Sequence, residues 1–403
     1  MEQNEHRVLG LNVIYLAACA LHGKVPEREV VAYMDLAGTY RLATRHSMQA
    51  IAYMGLAGVL PKMEAVSLNV EASLLEEWKG SVAHSMKQTV LYDLESEKIR
   101  DFFESKGIWY APLRGSVLQN DYPKLGMRQM ADNDILFDPT RREELRDFMV
   151  QSGYRVGFYN REYPDSYIKN GIMFDMHFEL FMNTAEQKKL FDYYGNVKKR
   201  LLPTEGTKFG YHFRQEDFYV YVIAHAYKHF SSGGNGLRSL MDLYVYNERN
   251  GKDLDWNYVN GELEKLGLLR YEQQAKALSQ KLFSVRGLEL LESQPSWESV
   301  LTEEEGALLG VHVVSGTYGT TALRSQNELD ALLERENVSF LAKVKFCFVR
   351  LFPRPEYFRI NYPRIYKTKV LIPFAVLWRI LTRMILQPQK RINELKMVIR
   401  KKK

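Results

Sequence analysis

Two aspartates separated by a single residue, Asp132 and Asp134, come directly before the apolar run Ile135, Leu136 and Phe137. Because successive side chains of a strand point to opposite faces, a strand here would project both carboxylates from the same face. Carboxylates held a few Å apart repel each other, and a divalent cation between them relieves that repulsion. The spacing therefore predicts a metal site.

A third acid lies in a second predicted strand further along the chain. The Asn-Gly pair at 170–171 predicts a tight hairpin, because both central residues of a type I′ turn need positive φ. Over 172–180 apolar residues alternate with others, which leaves Asp175, His177 and Glu179 on one face. We expect Asp175 to complete the acidic site. His177 and Glu179 either extend that site or simply face solvent.

The elements that must position these acids are predicted from the chain on either side of them. The stretch 107–113 (GIWYAPL) predicts a first strand, which delivers Arg114, Gly115 and Ser116 to a loop. Glycine allows a backbone to approach a phosphate closely, and serine adds a hydroxyl and an amide at a helix start. With a helix over 140–152, the order is strand, helix, strand, helix, strand, strand. This order predicts a small mixed sheet that carries the acids together.

These residues also form a recognisable series. It consists of Arg114-Gly115, Tyr122-Pro123, Arg128, Asp132-Asn133-Asp134 and Asp175-Met176-His177. The series resembles the uncharacterised bacterial nucleotidyltransferase-like branch of the DNA polymerase beta superfamily. In that branch the residue between the paired aspartates is usually aliphatic, and in this chain it is Asn133. The exchange predicts weaker core packing behind the strand.

The resemblance implies an activity and a set of roles. The activity is transfer of a nucleoside monophosphate from an NTP such as ATP to an acceptor hydroxyl on a small molecule, an RNA or a protein, with Mg²⁺ or Mn²⁺ as cofactor. Asp175 would also serve as a base toward the acceptor. The implied metal ligands are Asp132, Asp134 and Asp175, and the implied phosphate-binding residues are Gly115 and Ser116. We add Arg114 and Arg128 as further candidates for phosphate binding, with a surface salt bridge as the alternative for each.

A second polar series follows position 203. His225 and His229 are spaced i, i+4 and so share a helical face, and after a Gly-rich break come Arg238 and Asp242. The branch named above has a similar series after its catalytic domain. Three interpretations stay open: contact with nucleotide or acceptor, structural hydrogen bonding, or a zinc site with Asp242 as third ligand. A metal phosphohydrolase built on the third would leave the aspartate pair unexplained. His46 is interpreted as a structural histidine.

Composition sets the outer bounds. With 403 residues, 46% of them apolar and 12% aromatic, the chain can bury a large core and is expected to form an α+β fold of two or three domains. Two cysteines give no disulfide framework, and the sequence predicts neither a signal peptide nor a transmembrane helix, so a cytoplasmic location is expected. The predicted regions are a helical 1–106, a nucleotidyltransferase core 107–202, a helical 203–340 and a basic aromatic 341–403.

Charge is distributed unevenly along the chain. The overall net charge is +6, but residues 341–403 contain seventeen lysines and arginines against two acids, so this segment carries +15 and the rest −9. Such segregation predicts an anionic partner, either nucleic acid or an anionic membrane surface at the periphery. A solvated basic terminus is the simpler interpretation. Together with Asn133, the segment supports an alternative function: a catalytically impaired nucleotidyltransferase fold that binds through its basic tail.

Overall fold

The computed structural model describes residues 2–63, 70–159, 164–184, 186–293, 300–316 and 373–378. By its internal contacts the chain divides into two units, Met1–Phe230 with Asn235–Tyr318 and Ser231–Gly234 with Gly319–Lys403. Every residue of the sites below lies in the first unit. The four regions expected from the sequence remain a prediction, and all of the basic segment except a helical turn at 373–378 lies outside the described residues.

Helices make up most of the described chain. They are α1 (Glu2–His22), α2 (Arg28–Ala32), α3 (Leu36–Arg45), α4 (Gln49–Leu56), α5 (Ala72–Lys106), α6 (Arg114–Leu118), α7 (Arg142–Gln151), α8 (Lys188–Tyr194), α9 (Gln215–Ser232), α10 (Leu237–Asn250), α11 (Trp256–Leu266), α12 (Leu269–Phe283), α13 (Val285–Ser293) and α14 (Glu303–Ser315). Among the described helices, none combines the length and apolar character that a bilayer crossing requires.

The strands form two sheets. They are β1 (Tyr110–Pro112), β2 (Asn133–Phe137), β3 (Arg155–Phe158), β4 (Asp165–Lys169), β5 (Ile172–His177), β6 (Leu201–Pro203) and β7 (Tyr211–Phe213). The larger sheet has the order β1-β2-β5-β4-β3, and β6 pairs with β7. Within the larger sheet β2 and β5 are parallel, and the other pairs are antiparallel. The predicted α+β fold with a small mixed sheet between helical regions is confirmed.

The hairpin between β4 and β5 fixes the register of the sheet. Asn170 and Gly171 have φ angles of 52° and 80°, as the predicted turn requires. After it, alternate residues of β5 are buried, including Phe174 and Met176, while those between them are partly exposed. The parallel pairing then sets Asp134 directly beside Asp175. Two distant parts of the sequence are thereby joined at one point.

The long helix α5 covers one face of the sheet. Its residues Tyr92 and Phe103 contact Phe174 and Phe137, with ring centroids 5.7 and 6.0 Å apart. These aromatic residues belong to one hydrophobic core. A second, larger core lies mainly among the helices and includes Leu136, whose side chain points to the opposite face of the sheet. The acids of β2 and β5 share that opposite face.

Local sequence signals account for the departures from the predicted elements. The first strand is shorter than 107–113, because Gly107 ends α5 in the left-handed conformation with φ 67°. Within the helical region expected over 1–106, the stretch 28–56 is divided into three helices. Asp35 caps the start of α3, and Ser47, at φ 53°, separates α3 from α4. The β6–β7 pair was not predicted.

Candidate active site

Three aspartates meet on one face of the larger sheet. Asp132 directly precedes β2, Asp134 lies within β2, and Asp175 lies in β5. One carboxylate oxygen from each lies within 4.8 Å of the other two, and all three residues are partly buried. They line a cavity of about 220 Å³, which we term the first cavity. The structure thus brings together the three predicted acids, and we term this group the carboxylate cluster.

Asn133, between the paired aspartates, points the other way. Only 2% of its surface is exposed, and its Nδ2 donates a hydrogen bond of 2.8 Å to Oγ of Ser96 on α5. A polar partner therefore takes the place of the apolar packing expected at this position. The alternation of strand side chains keeps Asp132 and Asp134 on the opposite face.

The carboxylates differ in their proton affinity because their surroundings differ. Burial, and after it the neighbouring Asp134, raises the pKa of Asp132 to about 6. Burial also tends to raise the pKa of Asp134, but the ring of His177 outweighs it, so this pKa lies below its usual value. The distance from His177 Nε2 to Asp134 Oδ1 is 2.8 Å. The histidine therefore holds Asp134 in its charged form.

Asp175 is held from the neighbouring strand. The hydroxyl of Ser166, its cross-strand partner on β4, donates a hydrogen bond of 2.6 Å to Asp175 Oδ1. Burial raises the pKa of Asp175, although this hydrogen bond acts in the opposite direction. The contact fixes one carboxylate oxygen and leaves the other for a ligand.

Basic groups line the other side of the first cavity. Arg114, Lys228 and Arg238 contribute side chains to it, as do His225 and His229. Arg114 Nη1 donates to Nδ1 of His225, and burial together with this arginine keeps the pKa of that histidine well below its usual value. Arg238 Nη1 donates a hydrogen bond of 2.7 Å to the carbonyl of Gln129. The cavity therefore combines carboxylates for a cation with cationic groups for an anion.

Arg128 and Asp242 form a buried ion pair. Nε and Nη2 of Arg128 donate to the two oxygens of Asp242 at 2.8 and 2.9 Å, and the Tyr122 hydroxyl donates to Oδ1 at 2.7 Å. Nη1 of Arg128 also donates a hydrogen bond of 3.2 Å to the carbonyl of Gly115. Neither member of the pair lines the first cavity. The alternative of a surface salt bridge for Arg128 is wrong, because only 4% of the residue is exposed.

The pair also corrects the zinc hypothesis. Asp242 gives both carboxylate oxygens to Arg128 instead of joining His225 and His229. In the part of the chain that the structure describes, the carboxylate cluster is the one group of three acids, histidines or cysteines close enough to hold a metal. His225 and His229 instead line the first cavity, which is consistent with contact to nucleotide or acceptor.

The three residues of the turn after β1 lie in different surroundings. Arg114 reaches the first cavity, while Gly115 is buried, and a Cβ there would lie 3.0 Å from Cε of Met130. Ser116 donates a hydrogen bond of 3.1 Å to the carbonyl of Leu113 and lines a second cavity. Phosphate binding by Gly115 and Ser116 therefore remains a prediction. Glu179 is exposed and lies outside the lining of the first cavity.

Two contributors were missed in the sequence. Lys228 lies three residues after His225 on the same face of α9, and that helical spacing is the signal that would have found it. Ser166 could not be found, because its role depends on which residue of β5 it faces. His46 is structural as predicted: its Nδ1 accepts from the Leu237 amide and its Nε2 donates to the Val313 carbonyl, both at 3.1 Å.

Comparison with known proteins gives one match. The model of a family described as uncharacterised nucleotidyltransferase matches residues 34–284, which is more than half of the chain. This range contains the carboxylate cluster and the basic groups of the first cavity. Neither the curated proteins nor the solved structures give a significant match.

Proposed function

The chain belongs to this family of uncharacterised nucleotidyltransferases, and on that premise we propose that it transfers a nucleoside monophosphate from an NTP to an acceptor hydroxyl. The observation that carries the proposal is the convergence of three carboxylates within 4.8 Å in a cavity that also holds cationic side chains. The opposite charges suit a metal-bound triphosphate, which presents both a cation and phosphate oxygens.

The donor atoms of the carboxylate cluster fit a hard divalent cation. Carboxylate oxygens are the ligands that Mg²⁺ and Mn²⁺ prefer in proteins. The raised pKa of Asp132 supports the same assignment, because it reflects a negative charge that is buried beside another. When bound there, such a cation supplies charge neutralisation at the phosphates and lowers the pKa of an attacking oxygen. Asp132, Asp134 and Asp175 would hold it.

The remaining roles fall to side chains of the first cavity. The acceptor oxygen forms a bond to the α-phosphorus, the bond to the bridging oxygen breaks, and pyrophosphate leaves with the electron pair. Asp175 accepts the proton of the acceptor hydroxyl, while Ser166 fixes its other oxygen. Arg114, Lys228 and Arg238 contact the phosphate oxygens. Arg128 acts indirectly by holding the backbone at Gly115.

The proposal is tested by incubating the protein with each labelled NTP, Mg²⁺ or Mn²⁺, and cell extract, and then identifying what becomes labelled. We expect labelling that needs the divalent cation. Asp132→Asn should reduce it by more than the roughly 10–100-fold that losing a partner of a metal ligand costs. Asp101→Asn, at an exposed position of α5, is the matched control and should retain activity. Full activity of Asp132→Asn with an intact fold would refute the roles assigned to the carboxylate cluster.

For the basic segment 341–403 we propose peripheral contact with nucleic acid or an anionic membrane surface. Its net charge of +15 supports this, because counterions released from a polyanion favour binding. Deleting 387–403 should lower the affinity for RNA or for vesicles of anionic lipid, with the largest difference at low salt. An unchanged affinity for both would leave only a solvated terminus.

A further inference from the structure

A second cavity of about 380 Å³ lies on the other side of β2. It is lined by residues of α5, β1, β2 and the helical segment after β1. Asn133 and Ile135 form part of its wall, and they alternate along β2 with Asp134, which lines the first cavity. The two cavities have no lining residue in common. A ligand in the second cavity would therefore be separate from the nucleotide of the proposed reaction.

Two amide oxygens at this cavity lack hydrogen-bond donors. Within the described part of the chain, Oδ1 of Asn133 and Oε1 of Gln119 are buried and accept no hydrogen bond. Both amide nitrogens are already used, by Ser96 at 2.8 Å and by Asp93 at 3.2 Å. Buried polar atoms are nearly always paired in folded proteins. Two unpaired acceptors at one cavity therefore indicate a ligand that brings donors.

The rest of the lining restricts the chemistry of that ligand. Pro112, Val117 and Ile135 give the cavity apolar surface, which suits a flat ring. Its charged residues are Asp93 and Arg100, one of each sign, and both are exposed, so the wall favours an uncharged molecule. The volume lies in the range of small-molecule sites. An uncharged heteroaromatic ring with N–H donors matches all of these properties.

We propose that the second cavity binds a nucleoside whose base carries an exocyclic amine. The amine donates to the side-chain oxygens of Asn133 and Gln119, and the ring packs on the apolar wall. Binding needs neither a metal ion nor a phosphate. It is thus independent of the nucleotidyl transfer proposed above.

The test is calorimetric titration of the full chain with adenosine, without metal or NTP. Purine riboside, which has the same ring and sugar without the amine, is the matched ligand control. We expect adenosine to bind roughly a hundredfold more tightly than purine riboside, because two hydrogen bonds to buried acceptors are lost at about tenfold each. No binding of adenosine at millimolar concentration, or equal affinity for the two, would mean that the cavity holds water only and would overturn the proposal.

Two variants locate the site. Asn133→Leu and Gln119→Met each remove one acceptor at similar side-chain volume, and each should weaken adenosine binding by about tenfold. Gln119 is partly exposed, so its variant tests the site even where the Asn133 variant fails to fold. Asp134→Asn, on the opposite face of β2, should bind adenosine as the wild type does. Unchanged binding by a folded Gln119→Met would place the nucleoside elsewhere.

Discussion

Two groups of charged side chains in this protein, one fully buried and the other partly buried, differ in how their charges are balanced. In the ion pair, Arg128 supplies two hydrogen bonds to Asp242, and although burial acts to raise the pKa of Asp242, the arginine holds it below its usual value. In the carboxylate cluster, burial and the charge of Asp134 raise the pKa of Asp132 to about 6. The ion pair balances its own charges, whereas the carboxylate cluster does not.

The difference indicates what each group does. Burying a charge is costly unless it is paired, so the completed ion pair is suited to holding helix α10 against the turn after β1. The carboxylate cluster keeps uncompensated repulsion, which a bound cation would relieve. Strongly perturbed acids that share a cavity are typical of functional sites. We therefore assign structure to the first group and chemistry to the second.

The largest effect is expected from breaking the ion pair. Arg128→Ala leaves Asp242 buried without its partner, which should lower the free energy of unfolding by roughly 3–5 kcal/mol. Denaturant unfolding followed by circular dichroism measures this. Arg141→Ala, which removes an exposed partner of Glu144, is the matched control and should leave stability almost unchanged. Equal stability of the two variants would mean that the buried pair is not structural.

A smaller effect is expected at His177, which holds Asp134 in its charged form. His177→Ala should weaken Mn²⁺ binding by roughly 10–100-fold, because a partner that orients a metal ligand is lost. Stability should change less than in Arg128→Ala. His212→Ala is the control, because His212 is an exposed histidine of β7 that does not line the first cavity. Wild-type affinity in His177→Ala would show that the histidine has no part in the cation site.

The smallest effect is expected from a change of pH, which alters the protonation of Asp132. A cation must displace the proton from Asp132, whose pKa is about 6, so Mn²⁺ affinity should fall by roughly tenfold per pH unit below 6 and level off above it. In the absence of metal, the contribution of Asp132 to the stability of the folded protein depends on pH in the opposite direction and falls as pH rises. The folded chain binds this proton more tightly than the unfolded chain does, so the contribution of Asp132 to stability decreases as pH rises from about 4 to 6.

Mn²⁺ titrations at pH 5, 6, 7 and 8, together with unfolding of the metal-free protein from about pH 4 to 8, check both pH dependences. The stability of Asp132→Asn should lack the decrease toward pH 6. An Mn²⁺ affinity that is flat across pH 6 would contradict the raised pKa on which the comparison between the two groups depends.

The sequence predicted the parts of the site that depend on local periodicity. The spacing of Asp132 and Asp134 placed them on one face, and the turn at 170–171 placed Asp175 on a polar face of β5. Pairings between distant segments could not be predicted. The i, i+4 spacing of His225 and His229 indicated their common face but not their neighbours, so Asp242 was grouped with them although it pairs with Arg128.

The same limit applies to the second cavity. The sequence indicated that Asn133 points away from the acids, but its partner Ser96 lies on a helix 37 residues earlier. Likewise Ser116 was expected at the phosphates, and the direction in which α6 leaves β1 places it at the second cavity. Such directions follow from packing between elements, which a single sequence does not specify.

The central claim is that Asp132, Asp134 and Asp175 together bind a divalent cation, and Mn²⁺ titration followed by electron paramagnetic resonance tests it most directly. We expect saturable binding at pH 7.5 that is lost in each of Asp132→Asn, Asp134→Asn and Asp175→Asn, while Asp101→Asn binds as the wild type does. Undiminished Mn²⁺ binding by all three folded variants would contradict the claim.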